Sequence, residues 1–120
     1  MAHYRAALSL RPEWPPVLTE FAWLLATDPD EGVRDPVQAI AVAEQAVGLT
    51  RRMDPVALDV LAAAYGSGGR FDEAAATAQA AMALLSREAT GYAEMRERLE
   101  LYRQRRAYVD VRRAGPMGMK

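Results

Sequence analysis

Side chains that do chemistry are scarce in this chain. Its 120 residues include one histidine, His3, and no cysteine. A histidine acts as general base or metal ligand only when other groups orient it or share the ion. His3 has none of these around it in sequence and reads as a surface residue. Ser9, Ser67 and Ser86 have no recognisable base. Gly66-Ser67-Gly68-Gly69 lacks the lysine and the spacing of a phosphate-binding loop, and a turn between two helices explains it. Asp28, Asp30, Glu31 and Asp35 form an acidic cluster, but not with the spacing of a calcium loop. Turns and helix caps use the same residues. The expectation is no enzyme, no metal and no cofactor.

Charge adds little. The 15 basic and 16 acidic residues nearly cancel, so bulk charge points to no polyanionic partner. The C-terminal stretch is locally basic, with Arg103, Arg105, Arg106, Arg112, Arg113 and Lys120 against Asp110 alone. It reads first as a solvated tail, with cations near a helix C-terminus where the macrodipole favours them. Contact with acidic lipid, nucleic acid or an acidic protein surface is the sharper alternative, kept open by Tyr102 and Tyr108. Nucleic acid is not the expected partner. No apolar run approaches the ~18–20 residues of a membrane span, and no signal peptide is visible at the start. With no cysteine, no disulfide framework is available and no redox compartment follows.

What remains is architecture. Alanine accounts for 24 residues. It is the best helix former and the smallest side chain that still forms helix, so the pattern suggests helices in close approach. No segment alternates apolar and polar long enough to be a strand. Residues 2–10 read as a first helix, ended by Pro12 and Pro15-Pro16. A second runs over about 16–26, with Leu18, Phe21, Ala22 and Leu25 on one face. After a loop at 27–35, Asp35 caps a third helix to about Leu49, with Pro36 at its first position and Gln38 at its third. Asp54-Pro55 repeats the signal for a fourth helix to Tyr65. A fifth covers about 71–85 and a sixth, highly charged, about 87–105. From Ala74 to Ser86 the fifth helix carries no charge, so it should be covered on more than one side. The sixth has one seam, Tyr92, Met95, Leu99 and Tyr102, and a charged back.

The segments repeat. Leu18-x-x-Phe21-Ala22-x-x-Leu25 is followed by Ala39-x6-Ala46, and Leu58-x-x-Leu61-Ala62-x-x-Tyr65 by Ala74-x6-Ala81. The first helices repeat at a shift of 40 residues and the second at 35, and repetition at such a period signals stacked helical hairpins. In Leu58, Leu61, Ala62, Tyr65, Gly69, Phe71, Ala74 and Ala81 the chain resembles the tetratricopeptide repeat. Asp72-Glu73-Ala74 also fits. Residues 15–50 match with a longer loop, and residues 2–12 look like the second helix of a preceding repeat. Phe21 to Pro29, Arg34-Asp35 and Leu101-Tyr102-Arg103 look like a subgroup found at the C-terminal ends of bacterial repeat proteins. The resemblance implies an all-α fold: a right-handed superhelix of antiparallel helical hairpins, about six helices in all. Its domain would cover 1–106, made of the partial repeat 2–12, repeats 15–50 and 55–86, and a capping helix 87–105. A flexible basic tail would follow at 107–120. Ala43 and Ala78 depart from the family, which often carries an aromatic there. Trp23 and residues of the sixth helix would have to fill those gaps.

The resemblance also implies a function: a protein-interaction scaffold that binds a partner segment on its concave face. The positions lining that face would be Thr19, Glu20, Trp23, Asp59, Val60 and Ala63. The family's clamp for C-terminal carboxylates uses Lys, Arg and Asn at such places, and none is present. Glu20, Asp59 and Trp23 suit an apolar or basic protein or peptide segment better. Trp23 has a second reading as core. The alternative function is structural, a C-terminal cap of a larger protein or a homodimerisation module. The first helix lacks its own partner, so a homodimer would form through the open N-terminal end.

Overall fold

The computed structural model describes residues 14–110, and over these it is helical with no strand. Five helices follow one another: α1 (Pro15–Thr27), α2 (Pro36–Leu49), α3 (Pro55–Ser67), α4 (Phe71–Ala83) and α5 (Tyr92–Arg103). The expected helix at 2–10 lies outside the described residues, as does His3, so five of the six expected helices are seen.

Local chemistry sets most of the boundaries. Asp35 accepts the Gln38 N–H at 3.1 Å and Asp54 accepts the Val56 N–H at 2.9 Å, each with proline at the first helical position. These caps satisfy donors that have no partner inside the helix. α4 has no side-chain cap but carries Asp72 and Glu73 in its first turn, where the helix dipole favours anions. Gly69, at φ +79°, makes the left-handed turn between α3 and α4.

α5 starts five residues later than the sequence suggests. Residues 86–91 form turns instead, with the Ala89 N–H on the Ser86 carbonyl and the Tyr92 N–H on the Ala89 carbonyl. Gly91, at φ +90°, breaks any helix running through it. Arg87 and Glu88 have adequate helix propensity but no apolar surface to hold them, so the helix begins where the apolar seam does, at Tyr92.

Each helix packs on the next in sequence, α1 also lies against α3, and α3 touches α5. Small residues make this approach close. Ala22, Ala39 and Ala46, then Ala62, Ala74 and Ala81, are all fully buried. Leu18, Phe21, Leu25, Leu58 and Leu61 fill the space around them, each contributing about 1.5–3 kcal/mol by burial. Around Ala78 the gap is filled from α5, by Leu99 and Tyr102. Gly66 belongs to this contact rather than to a turn. It lies within α3, and a Cβ added there would sit 2.9 Å from Cε1 of Tyr102.

Residues 104–110 do not leave the domain. Arg105 turns the chain with φ +59°, and the Arg106 N–H returns to the Leu101 carbonyl at 2.8 Å. The segment then reaches the end of α1, where the Asp110 N–H donates to the Thr27 carbonyl at 2.8 Å. Of the tail expected from 107, residues up to 110 return to the helices, held there by Tyr108 and Asp110. The remainder, with Arg112, Arg113 and Lys120, lies outside the described residues.

Candidate binding cleft

Three helices, α1, α3 and α5, present side chains to one cleft of about 300 Å³. α1 supplies Thr19, Glu20 and Trp23, α3 supplies Val56, Asp59 and Val60, and α5 supplies Glu94 and Arg98. On each helix these residues fall one, three or four apart, on one side of the helix.

Five of the six residues expected on a binding face line this cleft, but they do different things. Thr19 is buried and donates its hydroxyl to the Pro16 carbonyl at 3.0 Å. Val60 is an apolar floor residue, nearly covered. Trp23 is half-buried and donates its indole N–H to Asp110 at 3.0 Å. Glu20 is exposed at the rim. Ala63 is 0 % exposed and does not line the cleft, so it touches neighbouring helices rather than a ligand.

Asp59 is the informative one. It is not a solvated acid but one half of an internal ion pair. Arg98 grips it with two bonds, Nη2 to Oδ2 at 2.7 Å and Nε to Oδ1 at 3.3 Å. Both side chains are nearly covered. Burial pushes the Asp59 carboxyl above the ordinary carboxylate value, and Arg98 pulls it back only part of the way. The guanidinium also lies 5.4 Å from the Trp23 ring and 5.3 Å from the Tyr108 ring, within cation–π range of both. A charge on the supposed solvated back of the last helix is therefore an internal brace.

With Asp59 balanced by Arg98, the cleft's character comes from its rim. Glu20 and Glu94 are exposed and make no ion pair among the described residues. In the same cleft Val56 is 56 % exposed, a large apolar side chain open to solvent. One open aliphatic side chain and two exposed carboxylates share the cleft, and none of its lining residues is a nucleophile paired with a base.

Sequence reasoning missed Val56, Glu94 and Arg98. Val56 stands one turn before Asp59 and Val60 and was open to the same spacing argument. Arg98 falls three residues after Met95 and four before Tyr102, on the buried seam of α5, so its register pointed inward. Its charge argued the other way, and register won because a carboxylate faces it.

The residues weighed for other chemistry have local roles. Asp28 accepts the Asp30 N–H and Asp30 accepts the Gly32 N–H, both at 2.8 Å, as turn residues do. Ser67 donates to the Ala64 carbonyl. Among the described residues no three His, Cys, Asp or Glu side chains gather as a metal site would need, and no helix is long and apolar enough to cross a membrane. Arg105 lies over the Phe71 ring and Arg103 pairs with Glu100, which places both basic side chains against the domain's own surface.

Comparison with family models, with curated proteins and with solved structures finds no match to this chain.

Proposed function

We propose that the chain is a protein-interaction scaffold, the end of a tetratricopeptide-like stack of helical hairpins winding as a right-handed superhelix, with α5 as its capping helix. α1 and α3 would be the first helices of two repeats, α2 and α4 the second helices. The packing of α1 on α3 and of each helix on its successor supports this, as do the buried alanines at matching places in both units. The inner face would then be the one lined by α1, α3 and α5.

The observation that carries the functional reading is the cleft itself. Thr19, Glu20, Trp23, Asp59 and Val60 meet in one hollow with Val56 exposed and Glu20 and Glu94 at its rim. The ligand this suits is a peptide segment with a basic residue beside an aliphatic one. The aliphatic side chain covers Val56 and the cation is drawn to the two rim carboxylates, which steer a basic segment to this face.

Panning a displayed peptide library on the intact chain tests this. Sequences pairing Lys or Arg with an aliphatic residue should be enriched, and lost on a folded Glu20→Lys/Glu94→Lys variant. Enrichment that is indifferent to both substitutions would move the ligand elsewhere.

A further inference from the structure

We infer that the inner face carries a second subsite, at Trp23 and Arg98, built for an extended segment with an aromatic residue two positions before a carboxylate, and that the chain fills it with its own Tyr108-Val109-Asp110. This does not rest on the Glu20–Glu94 reading.

Four contacts define the subsite. The Tyr108 ring lies 5.6 Å from the Trp23 ring at a 39° tilt, a tilted aromatic pair within contact range. Arg98 reaches both rings. Asp110 Oδ2 accepts the Trp23 indole N–H at 3.0 Å. The Asp110 N–H donates to the carbonyl of Thr27, the last residue of α1, whose C-terminal carbonyls have no donor inside the helix. The whole is recognition of a short peptide in miniature: one ring, one carboxylate and one backbone N–H. Tyr108 and Asp110, two residues apart, both reach Trp23. Asp110 is 6 % exposed, so its carboxylate is held rather than solvated.

The hollow around Tyr108 continues the cleft. Its walls are Glu94, Glu97, Arg98, Leu101 and Tyr108, and it shares Glu94 and Arg98 with the cleft beside it. The segment therefore lies on the same face as that cleft, the one lined by α1, α3 and α5. A tethered occupant faces its site at an effective concentration in the millimolar range, without any partner present. A partner segment of the same aromatic–X–carboxylate chemistry must displace it, so the intact chain binds such a segment weakly and the emptied site binds it well.

The test uses a Trp14→Phe chain, in which Trp23 is the remaining tryptophan, and the peptide Ac-Arg-Ala-Tyr-Val-Asp-Val-amide as probe. Trp23 fluorescence is titrated with and without Tyr108→Ala/Asp110→Ala. The emptied chain should bind saturably and at least about tenfold tighter than the filled one, since apparent affinity falls with the fraction of sites open. Peptides with Ala for Tyr or Asp should not bind. Equal affinity for filled and emptied chains, or equal binding of the Ala peptides, overturns the subsite. Should the double variant not fold, Asp110→Ala alone serves. Its Trp23 indole proton resonance should shift, and the peptide should return it towards the position in the parent chain. An unmoved resonance overturns the assignment. A concentration-dependent dimer of the parent chain in sedimentation, abolished by Asp110→Ala, would place the segment in a second copy and overturn the intramolecular form.

Discussion

Replacing Arg98 with methionine strands the Asp59 carboxylate. The two side chains are 10 % and 12 % exposed and joined by two hydrogen bonds. Breaking a buried pair by removing one partner costs about 3–5 kcal/mol. Asp59 lies at the floor of an open cleft where water reaches it, so the lower end applies, about 3 kcal/mol. Loss of the guanidinium from the Trp23 and Tyr108 faces adds roughly 1 kcal/mol. For a chain of this size the total lowers Tm by roughly 15 °C. The loss should also depend on pH. Asp59's folded-state value is raised by burial, so the stability linked to it is full below the ordinary carboxylate value. That stability is lost as pH rises through the raised value. Without Arg98 the raising effect of burial is unopposed by its partner. The variant should therefore lose much less at pH 4 than at pH 7. Adding Asp59→Leu should recover most of the loss at pH 7, because an apolar pair of similar volume replaces a buried ion pair at little cost. Urea unfolding followed by circular dichroism at both pH values measures all three chains. A cost below about 1 kcal/mol at pH 7, or the same cost at both pH values, would mean that Asp59 is not stranded when Arg98 is lost.

Other changes probe the packing. Gly66→Ala gains about 1 kcal/mol of helix propensity but drives a Cβ into the Tyr102 ring, at an overpacking cost of about 1–3 kcal/mol. A net loss in urea unfolding is expected, and a net gain would show that the ring gives way freely. The Tyr102 hydroxyl is buried and finds no hydrogen-bond partner among the described residues, and burial holds its ionisation well above the ordinary phenol value. Tyr102→Phe should therefore leave stability unchanged or raise it by about 1 kcal/mol, and a clear fall in Tm would mean the hydroxyl is bonded. Leu61→Ala should cost about 2–5 kcal/mol through the cavity it leaves in the α3 core. A change under about 0.5 kcal/mol, the range of an ordinary surface substitution, would place Leu61 outside the core.

The parts legible from sequence are those where a single residue type settles a local question. Asp followed by Pro starts α2 and α3 because a cap and a fixed φ act together. Buried alanines at Ala62 and Ala74 follow from the need for close backbones. The parts that were not legible depend on partners distant in sequence. Gly66 reads as a turn until the Tyr102 ring, 36 residues on, is placed against it. Arg98 reads as solvated until Asp59 is opposite. The fold-back of 107–110 has no periodic signal, since it rests on the Tyr108 ring against Trp23 and Arg98, one indole hydrogen bond and one helix-end carbonyl. The cleft was traceable through Thr19, Glu20, Trp23, Asp59 and Val60 because they share a helical strip. Ala63 followed from the same spacing but is buried, as spacing finds a face and does not show how much of it neighbouring helices cover.

A titration of isotope-labelled chain with a short peptide of alternating lysine and leucine, followed by NMR, asks the central question most directly. Backbone and methyl resonances of Glu20, Val56, Val60 and Glu94 should move together and saturate, while those of the α2 and α4 outer surfaces stay still. Shifts concentrated on α2 or α4, or an identical map from a Glu20→Lys/Glu94→Lys chain, would place the ligand away from this cleft.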